Sequence, residues 1–263
     1  MKKIKEKEYA LITGTTSGIG YELCEKFASK NINLILASRN EELLMSQKER
    51  LTQKYGIEVY YITLDLSLID SAKKLADYVK SLNIPIDYLV NNAGFNEVGY
   101  FLNTDINKEL SMIRLHTVFV TELTKYILPH MVKRKKGRIL NFGSTGSFVP
   151  SPTDAVYCAT KAYILFFSKA LHGELRKTGV KVTVACPGAT KSGFAQKAGI
   201  QSAPMFNTFV LSAKKVANKS FKAMKRGRRV KIVGFYGKFQ VLFSKILPAR
   251  FSDYLAVKIM KAK

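Results

Sequence analysis

The stretch YALITGTTSGIGYELCEKFA, residues 9–28, runs from a short apolar segment through a glycine-rich turn into a helical pattern. The turn reads T13-G14-T15-T16-S17-G18-I19-G20. A strand that enters a helix through such a turn aims backbone N–H groups and the positive end of the helix dipole at one point, which suits a bound phosphate. The glycine spacing is G-x-x-x-G-x-G rather than the more general G-x-G-x-x-G, so a purely structural turn is the alternative interpretation.

Six further apolar runs follow this one, each bounded by turn residues, and longer amphipathic stretches lie between them. The runs are INLILAS, EVYYITLDL, DYLVNNAG, GRILNFGS, KVTVACPG and RRVKIVG. Helical patterns cover residues 19–30, 40–55, 71–81, 108–133 and 155–178. The alternation predicts an α/β fold of the Rossmann type: a doubly wound, parallel, seven-stranded sheet with helices on both faces and a ligand site beyond the carboxyl ends of the strands.

The chain of 263 residues carries no long linker or repeat, and this length suits a single domain spanning residues 1–263. Within it, residues 190–212 have no clear period and are rich in Gly, Ser, Phe and Met, which predicts a lid over the substrate. Residues 235–263 form a basic and apolar C-terminal extension. That extension is expected to lie on an anionic membrane surface or to shape a dimer contact.

The formal net charge is +24, and from Ala213 onward fifteen basic residues face one acid, Asp253. Such a balance favours an anionic partner: a phosphorylated cofactor, an acidic substrate or carrier, a membrane surface or nucleic acid. No nucleic-acid motif accompanies the charge, so nucleic acid is not the favoured partner. The alternative interpretation of the basic segment is an ordinary solvated face.

The three cysteines, Cys24, Cys158 and Cys186, form no CxxC pair and no even framework. A disulfide scaffold and a metal site are therefore not expected. The cysteine pattern instead favours a reducing cytoplasmic compartment. The apolar part of the N-terminus is too short for a signal peptide, and no apolar run reaches the length of a membrane-spanning helix. Any membrane contact is expected to be peripheral.

The ends of the second, third and fourth predicted strands supply further cofactor contacts. The second ends in S38-R39-N40, donors that suit a ribose 2′-phosphate, and this favours NADP(H) over NAD(H). Arg39 on a solvated loop and asparagines that only cap turns are the alternatives. The expected contacts in these segments and in the glycine turn are Gly14, Thr16, Ser17, Gly18, Ile19, Gly20, Ser38, Arg39, Asp65, Leu66, Asn92, Ala93 and Gly94.

Tyr157 and Lys161, in the segment YCATK, lie one helical turn apart and share a helix face. Lowering the pKa of a tyrosine by ~3 needs about 4 kcal/mol, and a lysine ammonium at ~4 Å supplies about that much in a partly buried site. A tyrosine tuned in this way serves as a general acid or base. Ser144, at the end of the fifth strand, can donate a hydrogen bond to a substrate oxygen. A chance spacing of Tyr and Lys, and Ser147 or Ser151 as capping residues, are the alternatives.

Together, TGTTSGIG, NNAG, Ser144 thirteen residues before YCATK, and P187-G188 resemble the classical short-chain dehydrogenase/reductase family from Tyr9 to Gly199. The resemblance implies hydride transfer between a nicotinamide and a carbonyl or alcohol carbon. It implies that Tyr157 is the acid/base, that Lys161 also holds the nicotinamide ribose and that Ser144 orients the carbonyl. It places Pro187, Gly188, Thr190 and Ser192 at the nicotinamide end, and it suggests pairing of two copies through the helices that contain His116 and Tyr157.

His116 marks a departure from this family. Many members carry an asparagine at this place, which holds a relay water behind the lysine, whereas this chain reads M-I-R-L-H116-T. An imidazole can also hold a water or pass a proton, so His116 is predicted to act in catalysis. A histidine with satisfied hydrogen bonds inside a helix is the alternative.

An apolar set is expected to line the substrate cleft: Phe95, Phe148, Val149, Tyr163, Phe194, Met205 and Phe206. These residues favour an apolar or long-chain carbonyl substrate. The overall pattern resembles reductases of this family with an extended C-terminus, some of which act on fatty 3-oxoacyl thioesters. The leading prediction is therefore an NADP(H)-dependent reductase that turns a carbonyl into an alcohol. A non-catalytic NADP(H)-binding sensor or scaffold is the alternative function.

Overall fold

The computed structural model describes residues 7–193 and 210–243. Seven parallel strands form one sheet, and two very short strands, β7 and β8, form a second. The strands are β1 (Tyr9–Thr13), β2 (Asn33–Ser38), β3 (Val59–Thr63), β4 (Tyr88–Asn91), β5 (Gly137–Phe142), β6 (Val180–Pro187), β7 (Thr190–Lys191), β8 (Leu211–Ser212) and β9 (Val230–Val233). The large sheet has the order β3-β2-β1-β4-β5-β6-β9, so the predicted seven-stranded Rossmann-type sheet is confirmed. The small sheet was not predicted.

Helices connect the strands and cover both faces of the sheet. They are α1 (Gly18–Ala28), α2 (Glu41–Tyr55), α3 (Ser71–Ser81), α4 (Ile106–Ile113), a π-helix (Arg114–Phe119), α5 (Val120–Lys133), a 3₁₀ turn (Thr145–Ser147), α6 (Ala155–Glu174), α7 (Ala213–Lys225) and α8 (Phe235–Phe243). The helix predicted over residues 108–133 is found from Ile106 to Lys133, and the π-helix inside it was not predicted. In the described part of the chain, no helix is long and apolar enough to cross a bilayer.

The core has two halves, one on each face of the sheet, and parallel strands that are covered on both faces in this way are apolar at most positions. Along β2, Ile35 faces one half and Leu34 and Leu36 face the other, and all three are fully buried. The first half packs against α3, α5 and α6, and the second packs against α1, α2 and α7. This arrangement leaves the carboxyl ends of the strands as the open edge.

The glycine turn after β1 is fastened to the end of β4. Asn92 Nδ2 donates to Thr13 O at 2.9 Å and to Gly14 O at 3.0 Å. Gly14 has a φ of 69°, and a Cβ there would lie 2.8 Å from Ala93 Cα. A Cβ at Gly20 would lie 2.0 Å from Gly14 O. The two glycines are therefore required by close packing and by backbone conformation.

Strands β7 and β8 pair in parallel through Thr190 with Leu211 and Lys191 with Ser212. The predicted lid, residues 190–212, thus begins and ends in one small sheet beside the cleft. Residues 194–209 lie outside the described residues, and so do residues 244–263 of the C-terminal extension. The lid itself stays a prediction.

Candidate active site

A cleft of about 480 Å³ runs along the carboxyl ends of the strands, where the fold predicts a ligand site. All but one of the predicted cofactor contacts line it. They are Gly14, Thr16, Ser17, Gly18, Ile19, Ser38, Arg39, Asp65, Leu66, Asn92, Ala93, Gly94, Tyr157, Lys161, Pro187, Gly188, Thr190 and Ser192. Gly20 lies behind the turn against Gly14 O instead. Residues spread over 180 positions of sequence thus meet at one site.

The glycine turn fits a dinucleotide phosphate. Helix α1 begins at Gly18, and Ser17 at its N-cap makes no side-chain hydrogen bond to the helix in the described structure. The first turn carries no acidic residue. Gly18 has a φ of 58°, and a Cβ there would lie 3.0 Å from Ser192 Cβ, so the segment after β6 closes against the turn. The uncapped N–H groups of α1 therefore face the cleft where an anion is favoured.

At the other end of the cleft, two charged residues approach each other. Arg39 Nη1 lies 3.8 Å from Asp65 Oδ2 because β2 and β3 run side by side. Burial raises the pKa of Asp65, but hydrogen bonds from Ser67 N and Oγ, at 2.9 and 2.7 Å, outweigh burial and leave that pKa below its ordinary value. The sequence interpretation treated Arg39 and Asp65 as separate cofactor contacts and did not foresee that they approach each other. The hydroxyls of Thr16 and Ser38 lie 3.1 Å apart nearby.

Ser144 caps the 3₁₀ turn that follows β5. Its Oγ accepts a hydrogen bond from Gly146 N at 3.1 Å, and Ser147 Oγ accepts one from Ser144 N at 3.0 Å. Because Ser144 Oγ acts as an acceptor toward the backbone, its own hydrogen can point toward Tyr157 and the cleft. Ser147 is buried and serves as the capping residue that the alternative interpretation described.

Tyr157 and Lys161 share one face of α6 as the spacing predicted. Lys161 is 7% exposed, its Nζ donates to Phe142 O at 3.2 Å, and the ammonium lies 5.5 Å from the centre of the Tyr157 ring. Burial lowers the pKa of Lys161 to about 8.

The pKa of Tyr157 differs from the sequence prediction. Burial raises this pKa, the charge of Asp154 raises it further, and the hydrogen bond with Ser144 offsets these effects only in part. The expected lowering of this pKa by the Lys161 ammonium is not found. The ammonium lies over the ring face and is directed at a backbone carbonyl, so it does not compensate the burial of the phenol.

His116 occupies the π-helix and is almost fully buried, at 1% exposure. Its Nδ1 lies 2.9 Å from Thr160 Oγ1, which itself donates to Tyr157 O at 2.8 Å. This chain of bonds assigns the proton to Nδ1 and leaves Nε2 as an acceptor. Nε2 has no hydrogen-bond partner in the described ranges. The ring is also neutral, since burial and the charge of Lys161 hold its pKa well below the ordinary value.

Gly94 explains how His116 reaches the site. A Cβ at Gly94 would lie 2.7 Å from His116 Nε2 and 3.6 Å from Lys161 Nζ. The sequence interpretation gave this glycine to a cofactor ribose. In the structure, the missing side chain of Gly94 also leaves room for the His116 imidazole and the Lys161 ammonium to approach this glycine together.

The predicted substrate residues divide into four groups. Phe95 and Val149 line the cleft. Phe148 packs against the core, and Phe194, Met205 and Phe206 lie outside the described residues. The placement of Tyr163 in the cleft is wrong: it is 40% exposed, bonds Thr121 Oγ1 at 2.6 Å and stacks on Phe167. It follows Lys161 by two residues, about 200° around the helix, and so faces away.

Two buried polar residues of the cleft were missed by the sequence interpretation: Asp154 and Asn96. The only sequence signal for Asp154 is its position three residues before Tyr157. Asn96 belongs to the irregular segment after NNAG, and no spacing rule points to it.

Fold and cleft together define a class of protein: an α/β protein of the Rossmann type that binds a nicotinamide dinucleotide along the carboxyl edge of its sheet. Comparisons with known proteins agree with this class. The family model described as short chain dehydrogenase matches residues 8–203. A very-long-chain 3-oxoacyl-CoA reductase of Mus musculus is 35% identical over 212 residues, which cover 78% of this chain and 67% of the mouse protein. The chain therefore belongs to the short-chain dehydrogenase/reductase family, a family of oxidoreductases.

Solved structures give the same result for the fold. A short-chain dehydrogenase from Sphingobium yanoikuyae in complex with NADPH is 28% identical, with a TM-score of 0.81 over 91% of this chain and 93% of that one. A short-chain dehydrogenase/reductase from Burkholderia phymatum in complex with NAD is 22% identical, with a TM-score of 0.81 over 90% and 92%. Structures of this fold thus hold either cofactor.

Proposed function

We propose that the chain is an NADP(H)-dependent reductase that converts the ketone of a 3-oxoacyl thioester into an alcohol. The observation that carries this proposal is the convergence of Ser144, Tyr157 and Lys161 on one cleft that also contains the glycine turn. The apolar residues Phe95 and Val149 suit an acyl chain. The name of the mouse relative supports a 3-oxoacyl substrate.

In this proposal the chain supplies binding and a proton, and the bound nicotinamide supplies the hydride. Ser144 Oγ and the Tyr157 phenol donate hydrogen bonds to the ketone oxygen, where negative charge develops. Because burial raises the pKa of Tyr157, the phenol stays protonated at neutral pH and has a proton to give to the alkoxide that forms. Lys161 binds the nicotinamide ribose and stabilises the tyrosinate that remains after proton transfer.

His116 is proposed to complete the route by which Tyr157 regains its proton. The unpartnered acceptor Nε2 and the Lys161 ammonium face the same space beside Gly94. A water held there would accept from Lys161 and donate to His116 Nε2. A neutral imidazole with this tautomer can do so without changing its own protonation state.

The proposed preference for NADP(H) rests on Arg39, Ser38 and Thr16. The Arg39 side chain is 67% exposed, and its Nη1 comes no closer than 3.8 Å to Asp65 Oδ2. Because this ion pair is loose, the guanidinium can turn toward a 2′-phosphate. Exposed ion pairs of this kind are worth roughly 0–1 kcal/mol, which a charge-assisted bond to phosphate exceeds.

The decisive experiment measures oxidation of NADPH and NADH by the purified chain with short and long 3-oxoacyl thioesters. The proposal expects turnover, a lower KM for NADPH than for NADH, and loss of turnover in Tyr157→Phe, while NADPH binding by calorimetry is retained. Turnover by Tyr157→Phe at the rate of the wild type would refute the mechanism. Tight NADPH binding without turnover of any carbonyl compound would favour the sensor or scaffold instead.

Helix α8 is proposed to contact an anionic membrane surface. Its residues Phe235, Tyr236, Phe239, Leu242 and Phe243 are all exposed. The pKa of Lys231 is lowered first by burial and then by the positive charges of Lys238, Arg228, Lys219 and Arg226. These cations therefore lie together beside the helix. An apolar helix face beside a cation cluster is typical of interfacial binding.

Vesicle sedimentation tests this contact. The chain is expected to bind phosphatidylglycerol-containing vesicles in low salt, and Phe235→Ser/Phe239→Ser is expected to weaken that binding about tenfold. The matched control is Leu68→Ser/Ile69→Ser, which changes two exposed apolar residues elsewhere. Equal losses in both variants, or binding that ignores lipid charge, would contradict the proposal.

A pairing of two copies is proposed through the outer faces of the π-helix and of α6. Val118, Tyr163 and Phe166 expose apolar surface there, at 47%, 40% and 66%. Sedimentation equilibrium should give a dimer for the wild type and a monomer for Phe166→Glu. A monomeric wild type at all concentrations would exclude it.

A further inference from the structure

Asp154 is a buried carboxyl group at the start of α6, directly beside the proposed acid. It is 7% exposed and lines the cleft together with Tyr157. It stands at the N-cap, where its backbone carbonyl accepts from Cys158 N at 3.0 Å. Its side chain makes none of the capping bonds that an aspartate at this position usually makes in the part of the chain described here. The carboxyl group therefore caps no backbone N–H of α6 in the described structure.

The partners of this carboxyl group are few and uncharged. By distance and angle, Asp154 Oδ1 has no hydrogen-bond partner among residues 7–193 and 210–243, and Oδ2 accepts from Cys158 Sγ at 3.9 Å. Asn96 is nevertheless near enough to lower the pKa of the carboxyl group as a hydrogen-bond donor would. The side chain of Asn96, itself 6% exposed, faces the carboxyl group from the loop after β4. Asp154 takes part in none of the ion pairs that the described residues form.

The groups that titrate around Asp154 are the phenol of Tyr157 and the thiol of Cys158, both on α6. Each is uncharged at neutral pH, since burial raises the pKa of Tyr157 and raises that of Cys158 to about 12. Asn96 is the facing residue from the β4 loop, and Ser151 contacts Asp154 from the loop before α6; neither titrates. In the described structure no cation acts on the carboxyl group. Burial raises the pKa of Asp154 to about 7, and Asn96 and Cys158 lower it only in part.

A carboxyl group in this setting is more useful as an acid than as an anion. In its neutral form it gains one O–H donor and keeps one acceptor oxygen. A carboxylate without a cation would instead place a second negative charge beside the tyrosinate that forms during the proposed reaction. Asp154 lines the cleft although its unpartnered Oδ1 is itself buried, so a rotation of the side chain would bring the O–H to a bound substrate.

We infer that Asp154 acts as a neutral carboxylic acid that donates a hydrogen bond to a second carbonyl oxygen of the substrate. The site would then recognise 1,3-dicarbonyl compounds: Ser144 and Tyr157 hold the ketone oxygen, and Asp154 holds the thioester oxygen two carbon atoms away. Asp154 precedes Tyr157 by three residues at the start of α6, and both residues line the cleft. This inference rests on the proposed function and adds a determinant of substrate choice.

The kinetic test uses two substrates of equal length, a 3-oxoacyl thioester and the matching ketone in which the thioester carbonyl is replaced by CH₂. KM for both is measured with NADPH from about pH 6 to about pH 9 in the wild type, Asp154→Asn and Asp154→Leu. The quantity compared is KM of the ketone divided by KM of the thioester. In the wild type this ratio should fall as the pH rises through about 7, because the donor is lost.

The two variants separate a donor from an acceptor. A carboxamide donates at every pH, so Asp154→Asn should keep a high ratio that does not change with pH. Asp154→Leu should lower the ratio by roughly 5- to 10-fold at low pH, the effect of one lost hydrogen bond. A wild-type ratio that rises with pH, or a leucine variant with an unchanged ratio, would overturn the inference.

A readout without turnover distinguishes this inference from the proposed function. The infrared difference spectrum between wild type and Asp154→Asn should contain the C=O band of a protonated carboxyl group, and that band should vanish as the pH rises through about 7. If neither substrate is reduced but the band titrates in this way and shifts when a 1,3-dicarbonyl ligand is added, the proposed reaction fails and the subsite stands. Absence of the band at about pH 6 would refute the neutral acid.

Discussion

Replacing Asp154 by asparagine should stabilise the fold at alkaline pH and leave its stability almost unchanged in acid. The pKa of this carboxyl group is about 7 in the folded chain, against an ordinary value of 3.8. The folded state therefore binds a proton more tightly than the unfolded state does. The free energy of unfolding should fall as the pH rises from about 4 to about 7 and then level off, because ionisation is opposed only in the folded chain.

The size of the effect follows from the same two values. Each step of one in pKa is worth about 1.4 kcal/mol, so the full difference is roughly 4 kcal/mol at most. Asp154→Asn removes this cost, since a carboxamide has no charge to bury. At about pH 8 the variant should therefore be more stable than the wild type by roughly 2–4 kcal/mol, and at about pH 4 the two should agree within roughly 1 kcal/mol.

Urea unfolding followed by circular dichroism at both pH values measures this difference. Asp77→Asn is the matched control, because Asp77 is an exposed aspartate that pairs with Lys73 across one helical turn. The control should change stability by less than about 0.5 kcal/mol at either pH. If Asp154→Asn gave the same change at both pH values, or lowered stability at about pH 8, the described environment of the carboxyl group would be wrong.

Three further perturbations address the proposed cofactor and proton sites. His116→Asn should retain turnover within about threefold because a carboxamide can hold the same water, whereas His116→Leu should lower kcat by roughly 10-fold or more in steady-state assays; equal rates in both would remove His116 from the proton route. Arg39→Ala should raise KM for NADPH by roughly tenfold and leave KM for NADH within about twofold, a split that a purely structural arginine would not give. Gly94→Ala should place its methyl group 2.7 Å from His116 Nε2. Rate measurements should therefore show a lower kcat, and unfolding measurements should show a loss of about 1–3 kcal/mol of stability. An unchanged kcat would show that the space beside Lys161 is not used.

Much of the fold was predictable because its signals are local. The glycine turn after β1 and the apolar strands with their bounding turns specify the parallel sheet, and Asn40 and Gly56 mark the ends of α2, where they cap it. The π-helix and the pairing of β7 with β8 were not predictable in this way. A π-helix has no distinctive residue pattern, and a ladder of two residue pairs is determined by tertiary contacts.

The candidate site was predictable wherever one rule applied to it: side chains that follow parallel strands meet at one edge. Ser144, Arg39 and Asn92 were found by this rule, whereas Gly188 came from the family resemblance. Contacts between neighbouring strands were missed, and the approach of Asp65 to Arg39 is the example. Asp154 and the raised pKa of Tyr157 were missed for a related reason, since burial in a cleft cannot be read from the spacing of residues along a helix.

Because of the π-helix between α4 and α5, the number of residues in this segment determines how α5 is rotated relative to α4. Each residue of an α-helix advances the chain by about 100° around the axis. Deleting one residue from Arg114–Phe119 to form a regular helix would turn everything beyond the deletion by that angle relative to α4. Leu123 and Met131, both fully buried, would then leave the core, or His116 would leave its place beside Gly94. A single-codon deletion here should therefore be far less tolerated than any single substitution on the exposed face of the same helix.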